Sequence, residues 1–151
     1  MSVLEGRHVL LVEDESLVAM LAEDMLIDLG CEVTVAMRLD KALAIARTGS
    51  FDLAVLDVNL GVQRSYPIAD VLFERGVRFL FATGYGFAGL ELPYRTVPVV
   101  QKPYRLEQMH DILSHTMTCK ARPRKGASVG PACECRWVEA SSRRFAADGF
   151  S

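Results

Sequence analysis

Four short apolar runs, each closing on residues that suit a phosphoryl group or a divalent cation, constrain this chain more than any other feature. His8-Val9-Leu10-Leu11-Val12 leads into Glu13-Asp14, and Leu53-Ala54-Val55-Leu56 into Asp57. Phe79-Leu80-Phe81-Ala82 leads into Thr83, and Val97-Pro98-Val99-Val100-Gln101 into Lys102. Runs this short and this apolar read as strands buried on both faces of a parallel sheet. Open parallel α/β sheets bind ligands beyond the carboxyl ends of their strands, where the strand order reverses. Four such strands in one sheet would bring three acids, a hydroxyl and an amine into one pocket.

The segments between the runs read as helices. Ser16 to Leu29 places Leu17, Met20, Leu21, Met25 and Leu29 on an expected apolar stripe flanked by Asp24 and Asp28, and Gly30 follows as a stop. Glu32 to Ala36 is a short β-branched strand, and Asp40 to Thr48 is an Ala/Leu-rich helix ending at Gly49. Ile68 to Arg75 follows Pro67 and closes at Gly76, and Arg105 to Met117 carries Leu106, Met109, Ile112, Leu113 and Met117 at helical spacing. Regular alternation of strand and helix predicts an α/β, flavodoxin-like, doubly wound five-stranded parallel sheet of order 2-1-3-4-5. Pro98 cannot donate a ladder hydrogen bond, so the fifth strand belongs at an edge. Gly84, Gly86, Gly89 and Pro93 crowd the segment from Gly84 to Arg95, which predicts a weak or short fourth helix.

Composition divides the 151 residues in two. Residues 1–117 carry 10 basic and 16 acidic side chains, a net of −6, and residues 118–151 carry 7 and 3, a net of +4. The expected organisation is a folded domain over residues 1–117 and a basic, disordered tail over 118–151, because the Pro/Gly-rich stretch after Thr118 has no periodicity. An acidic body argues against a nucleic-acid surface. No apolar run nears the ~18 residues of a membrane helix, and residues 1–7 lack a basic start followed by an apolar core, so a secretory leader is not expected and the cytoplasm is the expected location. Thiols there are expected to be free, both Cys31 and the tail's Cys119, Cys133 and Cys135. Cys133-Glu134-Cys135 lacks the ligand number and spacing of a zinc site, and His8, His110 and His115 show no metal-ligand spacing.

In a 2-1-3-4-5 sheet the first and third strands are neighbours, so Glu13-Asp14 and Asp57 meet at the switch point. Carboxylates so close repel unless a cation lies between them, and magnesium suits oxygen ligands of this kind. Asp14 and Asp57 are expected as direct ligands, Glu13 through a water, and the backbone carbonyl of Asn59 as a further ligand. Asp57, alone at the centre of the sheet, is the expected nucleophile toward phosphorus. Lys102 would offset charge on the phosphoryl oxygens, and Thr83 would hydrogen-bond one of them, drawing its loop inward.

Val12-Glu13-Asp14-Glu15, Leu56-Asp57-Val58-Asn59-Leu60, Thr83 and Lys102-Pro103-Tyr104 together resemble the receiver domain of two-component response regulators over about residues 6–117. Phe81-Ala82-Thr83-Gly84-Tyr85-Gly86 is similar to the motif of the FATGUY subfamily of receivers. The resemblance implies phosphorylation of Asp57 by a sensor histidine kinase or phosphotransfer protein, magnesium at Glu13, Asp14 and Asp57, and a cis bond before Pro103. It also implies an output through an unknown downstream protein, or a shuttle or sink role in a phosphorelay. Two positions depart from the family pattern: Val99 replaces the aromatic switch residue, and Gly61 stands where many receivers have proline. The alternatives are a phosphorylation-independent receiver-like scaffold and an aspartate-nucleophile phosphatase, which needs a second acid where this chain has Asn59.

Overall fold

The computed structural model describes residues 3–119 and 125–126. The first half alternates β1 (His8–Val12), α1 (Ser16–Asp28), β2 (Glu32–Ala36), α2 (Leu39–Thr48) and β3 (Leu53–Asp57). A two-strand hairpin follows, β4 (Asn59–Leu60) and β5 (Gln63–Arg64), then α3 (Tyr66–Arg75) and β6 (Arg78–Thr83). Two 3-10 turns, Gly86–Gly89 and Leu92–Tyr94, precede β7 (Val99–Gln101) and α4 (Leu106–Thr118). The main sheet is parallel in the order β2-β1-β3-β6-β7, which is 2-1-3-4-5 once the hairpin strands are set aside.

The three inner strands are buried on both faces, as their unbroken apolar sequences require: Val9 to Val12, Leu53 to Leu56 and Phe79 to Ala82 are all core. β7 lies at the edge, and its ladder begins at Val99, just past Pro98, whose carbonyl accepts the Phe81 amide at 3.0 Å. Edge-to-face aromatic contacts run from Phe73 to Phe79 and on to Phe81, and Tyr66 stacks on Tyr94 at 4.0 Å and 12°. That stack ties the second 3-10 turn to α3. A second tie is the Glu91 amide, which donates to the Tyr66 hydroxyl at 2.9 Å. The short fourth helix is thus two 3-10 turns, because its glycines weaken helix and leave aromatic packing to place the segment.

α1 corrects the expected apolar stripe. Leu17 is 79% exposed, Met20 59% and Leu21 48%, whereas Ala19, Ala22 and Leu26 face the sheet. Two apolar faces compete in this helix, and the alanine face wins because small side chains let the helix approach the strands closely. Leu29 caps the helix rather than belonging to it. The hairpin has no forerunner in the hydrophobic pattern. Its turn residue Gly61 has φ +64°, a conformation closed to proline, whose ring holds φ near −65°. Among the described residues no helix is long and apolar enough to cross a membrane. The disorder expected of the tail falls on residues 120–124 and 127–151, with Cys133 and Cys135, outside the described residues.

Candidate functional site

Register decides what meets at the carboxyl end of the sheet. Val12 pairs with Leu56, so Glu13 and Asp57 leave adjacent strands at the same level. The Glu13 amide donates to the Ala36 carbonyl at 3.1 Å, which extends the β2 ladder by one residue and holds the Glu13 side chain inward, 0% exposed. On the other side, the Lys102 amide donates to the Thr83 carbonyl at 3.0 Å, and the Lys102–Pro103 bond is cis.

Lys102 Nζ lies 3.1 Å from Glu13 Oε2 and 3.3 Å from Asp57 Oδ2. The other Asp57 oxygen, Oδ1, accepts the Asn59 amide at 3.4 Å. One carboxylate oxygen each from Glu13, Asp14 and Asp57 falls within 4.8 Å of the others. All three acids and the lysine expected from the sequence are therefore together, and the donor set is all oxygen, as a hard cation such as magnesium requires.

Electrostatics show how tightly the acids are held. Burial, then the Asp57 carboxyl, pushes Glu13 from its ordinary 4.5 up to about 7. Burial also raises Asp57, against the pull of Lys102 and the Asn59 amide. The two carboxyls share a contact that favours one proton between them. Burial pulls Lys102 down, but the charges of Asp57 and Glu13 outweigh it and the ammonium ends above its usual value.

The raised Glu13 value has a stability consequence with a definite sign. Between its unfolded value near 4.5 and its folded value near 7, the folded protein holds a proton that the unfolded chain lacks. Stability from this group is therefore lost as pH rises through that window, by an amount of roughly 3 kcal/mol. In chelator, the difference in unfolding free energy between the native chain and Glu13→Gln is expected to shrink from pH 7.5 to pH 5. A flat difference across that range would show that Glu13 titrates as it does in water.

Thr83 is close to the set but engaged elsewhere. It is buried, and its hydroxyl accepts the Tyr85 amide at 3.1 Å. Gly89, in the first 3-10 turn, lies against the same hydroxyl, and a Cβ at this position would fall inside the radius of Thr83 Oγ1. The glycine-rich segment is thus closed over the hydroxyl that the sequence assigned to the phosphoryl group.

Two neighbours escaped the sequence reading. Tyr104, given no role of its own from sequence, is buried with its phenol raised by burial and by the charges of Glu13 and Asp57. Among the described residues its hydroxyl makes no hydrogen bond of ordinary geometry, and Glu13 is the carboxylate toward which it could donate. Its position two residues beyond Lys102 was the available signal. Gly89 had none, because its role is a contact with a residue six positions earlier. Val99, at the place of the usual aromatic switch, is buried in the edge strand. The described thiols, Cys31 and Cys119, are free, as expected, and the His8 ring bonds Thr34 Oγ1 at 2.7 Å.

The response regulator receiver domain family matches residues 9–114. Among solved structures, the solution structure of SdrG from Sphingomonas melonis Fr1 is 36% identical, covering 78% of this chain and 100% of that one, with a TM-score of 0.67. The BeF3-activated conformation of SdrG from Pseudomonas melonis Fr1 is also 36% identical, covering 74% and 96%, with a TM-score of 0.64. A receiver domain of a sensor histidine kinase from Pseudomonas aeruginosa PAO1, with a magnesium ion coordinated in its active site cleft, shares the fold at 24% identity and a TM-score of 0.67, covering 74% and 98%. No curated protein matches the chain. The family match begins in β1 and ends within α4, so it takes in all five strands of the main sheet but for His8, with every acid and the lysine at their carboxyl ends, and this chain belongs to the response regulator receiver domain family.

Proposed function

We propose that this protein is a phosphoacceptor in two-component signalling, taking a phosphoryl group on Asp57 from a sensor histidine kinase or a phosphotransfer protein. The observation that carries this reading is the bridging of Glu13 and Asp57 by Lys102 at the point where the strand order reverses. An Asp57 carboxylate oxygen forms the new bond to phosphorus while the bond from phosphorus to the donor breaks, the donor keeping the electron pair. The Asn59 amide fixes one Asp57 oxygen and so orients the carboxylate. Lys102 then moves its charge onto the phosphoryl oxygens, and the Thr83 hydroxyl, which accepts the Tyr85 amide, turns its own hydrogen toward one of them.

Glu13, Asp14, Asp57 and the Asn59 carbonyl are the residues that would hold magnesium. When bound, the cation neutralises the acids and the phosphoryl oxygens, which lets the two anions approach. BeF3 activates the related SdrG, which supports the same chemistry at Asp57 here. Leu17, Met20 and Leu21, exposed on the helix that follows the Glu13-Asp14 pair, offer the donor protein an apolar surface beside the site.

Residues 1–117 form the phosphoacceptor domain and 118–151 an appended basic tail. The protein acts in the cytoplasm, through protein contacts or as a phosphorelay shuttle or sink, without nucleic acid or membrane. It is a signalling domain and not an enzyme with a separate substrate. Incubation with acetyl phosphate and magnesium, followed by intact-mass measurement, is expected to give a one-to-one, base-labile phosphoryl adduct. Turnover of many equivalents without an adduct would favour a phosphatase, and no reaction at all would favour a scaffold.

A further inference from the structure

Part of the basic tail is seated on the domain. Lys125 Nζ lies 3.1 Å from Asp70 Oδ1 on α3 and 5.0 Å from the centre of the Tyr94 ring. The Tyr94 hydroxyl donates to the same Asp70 oxygen at 3.1 Å. Next to it, the Gly126 amide donates to the Pro93 carbonyl at 3.1 Å. Charge, ring face and backbone thus converge on two consecutive tail residues.

Aromatic packing builds the platform. Tyr94 is buried, stacked on Tyr66, and meets Phe81 edge-on at 6.2 Å. Burial raises the Tyr94 phenol, so it stays protonated and keeps its hydrogen for Asp70. Pro93 and Tyr94 belong to the second 3-10 turn of the glycine-rich segment. The other end of that segment carries Gly89 and the Tyr85 amide, both against the Thr83 hydroxyl. One short segment therefore touches the tail at one end and the phosphoryl-binding hydroxyl at the other.

We propose that Asp70, Pro93 and Tyr94 form a docking surface for the chain's own Lys125–Gly126, and that docking there holds the glycine-rich segment closed over Thr83. Phosphorylation and tail docking then oppose each other. A phosphoryl group that draws the Thr83 hydroxyl away loosens the segment, and a docked tail resists that movement. Thermodynamic linkage makes the two effects reciprocal: whatever factor the tail takes from phosphoryl-mimic affinity, the mimic takes from tail docking. The occupant is this chain, because the opposite charges lie on one polypeptide with an acidic body and a basic tail. The coupling to Thr83 rests on the function proposed above, whereas the docking itself does not.

Amide hydrogen exchange on the full-length chain tests both parts. Gly126 and Tyr94 are expected to exchange at least tenfold faster in Lys125→Glu and in Asp70→Lys than in the native chain. The double variant, with the charges exchanged, is expected to recover most of the protection. Lys125 is exposed, so Lys125→Glu leaves the core intact, and unchanged exchange in β3 checks this. Equal exchange in all four proteins overturns the docking, and so does protection that rises with protein concentration, which would make a second copy the occupant. Beryllofluoride with magnesium should bind Lys125→Glu several-fold more tightly than the native chain and should speed Gly126 exchange in the latter. Identical affinities overturn the coupling. Failure of beryllofluoride to bind either protein overturns the phosphoacceptor reading and the coupling with it, and leaves the docking to stand on the exchange result.

Discussion

Asp57→Asn is expected to remove the acetyl phosphate adduct completely while making the metal-free protein more stable above pH 7. Loss of the adduct follows because the amide is a poor nucleophile toward phosphorus, and Glu13, fully buried, keeps its outer oxygen against Lys102. The gain in stability follows from the same geometry. Asp57 is one of the causes that push Glu13 up to about 7, and a neutral neighbour takes away the like-charge repulsion. A relief of one pKa unit at Glu13 corresponds to about 1.4 kcal/mol. Intact-mass spectra and urea unfolding at pH 8 in chelator read the two effects on one sample. An adduct that persists in this variant would mean that another residue accepts the phosphoryl group. Equal midpoints would mean that the two carboxyls do not interact.

Lys102→Met carries the second large effect, with the opposite sign. Lys102 is the cation within reach of both buried carboxylates among the described residues, at 3.1 and 3.3 Å. Taking one partner from a buried ion pair costs about 3–5 kcal/mol, because the remaining charge is left without compensation. Protonation of Glu13 absorbs part of that below pH 7, so the loss should be larger at pH 8 than at pH 6. Magnesium should recover much of it, since a divalent cation among Glu13, Asp14 and Asp57 replaces the missing positive charge. Phosphorylation is expected to fall by about two orders of magnitude even with magnesium present, as the loss of one preorganised charge at the phosphoryl oxygens implies. Thermal unfolding with and without magnesium separates the two roles. Unchanged stability in chelator would show that the ammonium does not neutralise this pair.

The same residues show how far local sequence carries the structure. An apolar run of five residues that stops on an acid is a strand end in any context that buries both faces, so Glu13, Asp57 and Lys102 were legible at once. Pro98 announced the edge because its missing N–H is a property of the residue itself. The glycines between Gly84 and Arg95 announced a broken helix for the same kind of reason, backbone entropy.

The remainder is decided by neighbours that are distant along the chain. The choice of Ala19, Ala22 and Leu26 over Leu17, Met20 and Leu21 for the buried face of α1 depends on how closely the strands admit a helix. The upward shifts of Glu13 and Asp57 depend on desolvation by the packing around both. The direction of the Thr83 hydroxyl, the Gly89 contact over it, and the seat of Lys125 on Asp70 and Tyr94 each join segments that no local pattern relates. Sequence by itself determined the strand ends and the chemical groups they present, since those follow from periodicity and from single-residue chemistry. Only the tertiary structure decided which of those groups are dehydrated, which share charge, and which are already occupied, because burial and distance arise from the folded whole.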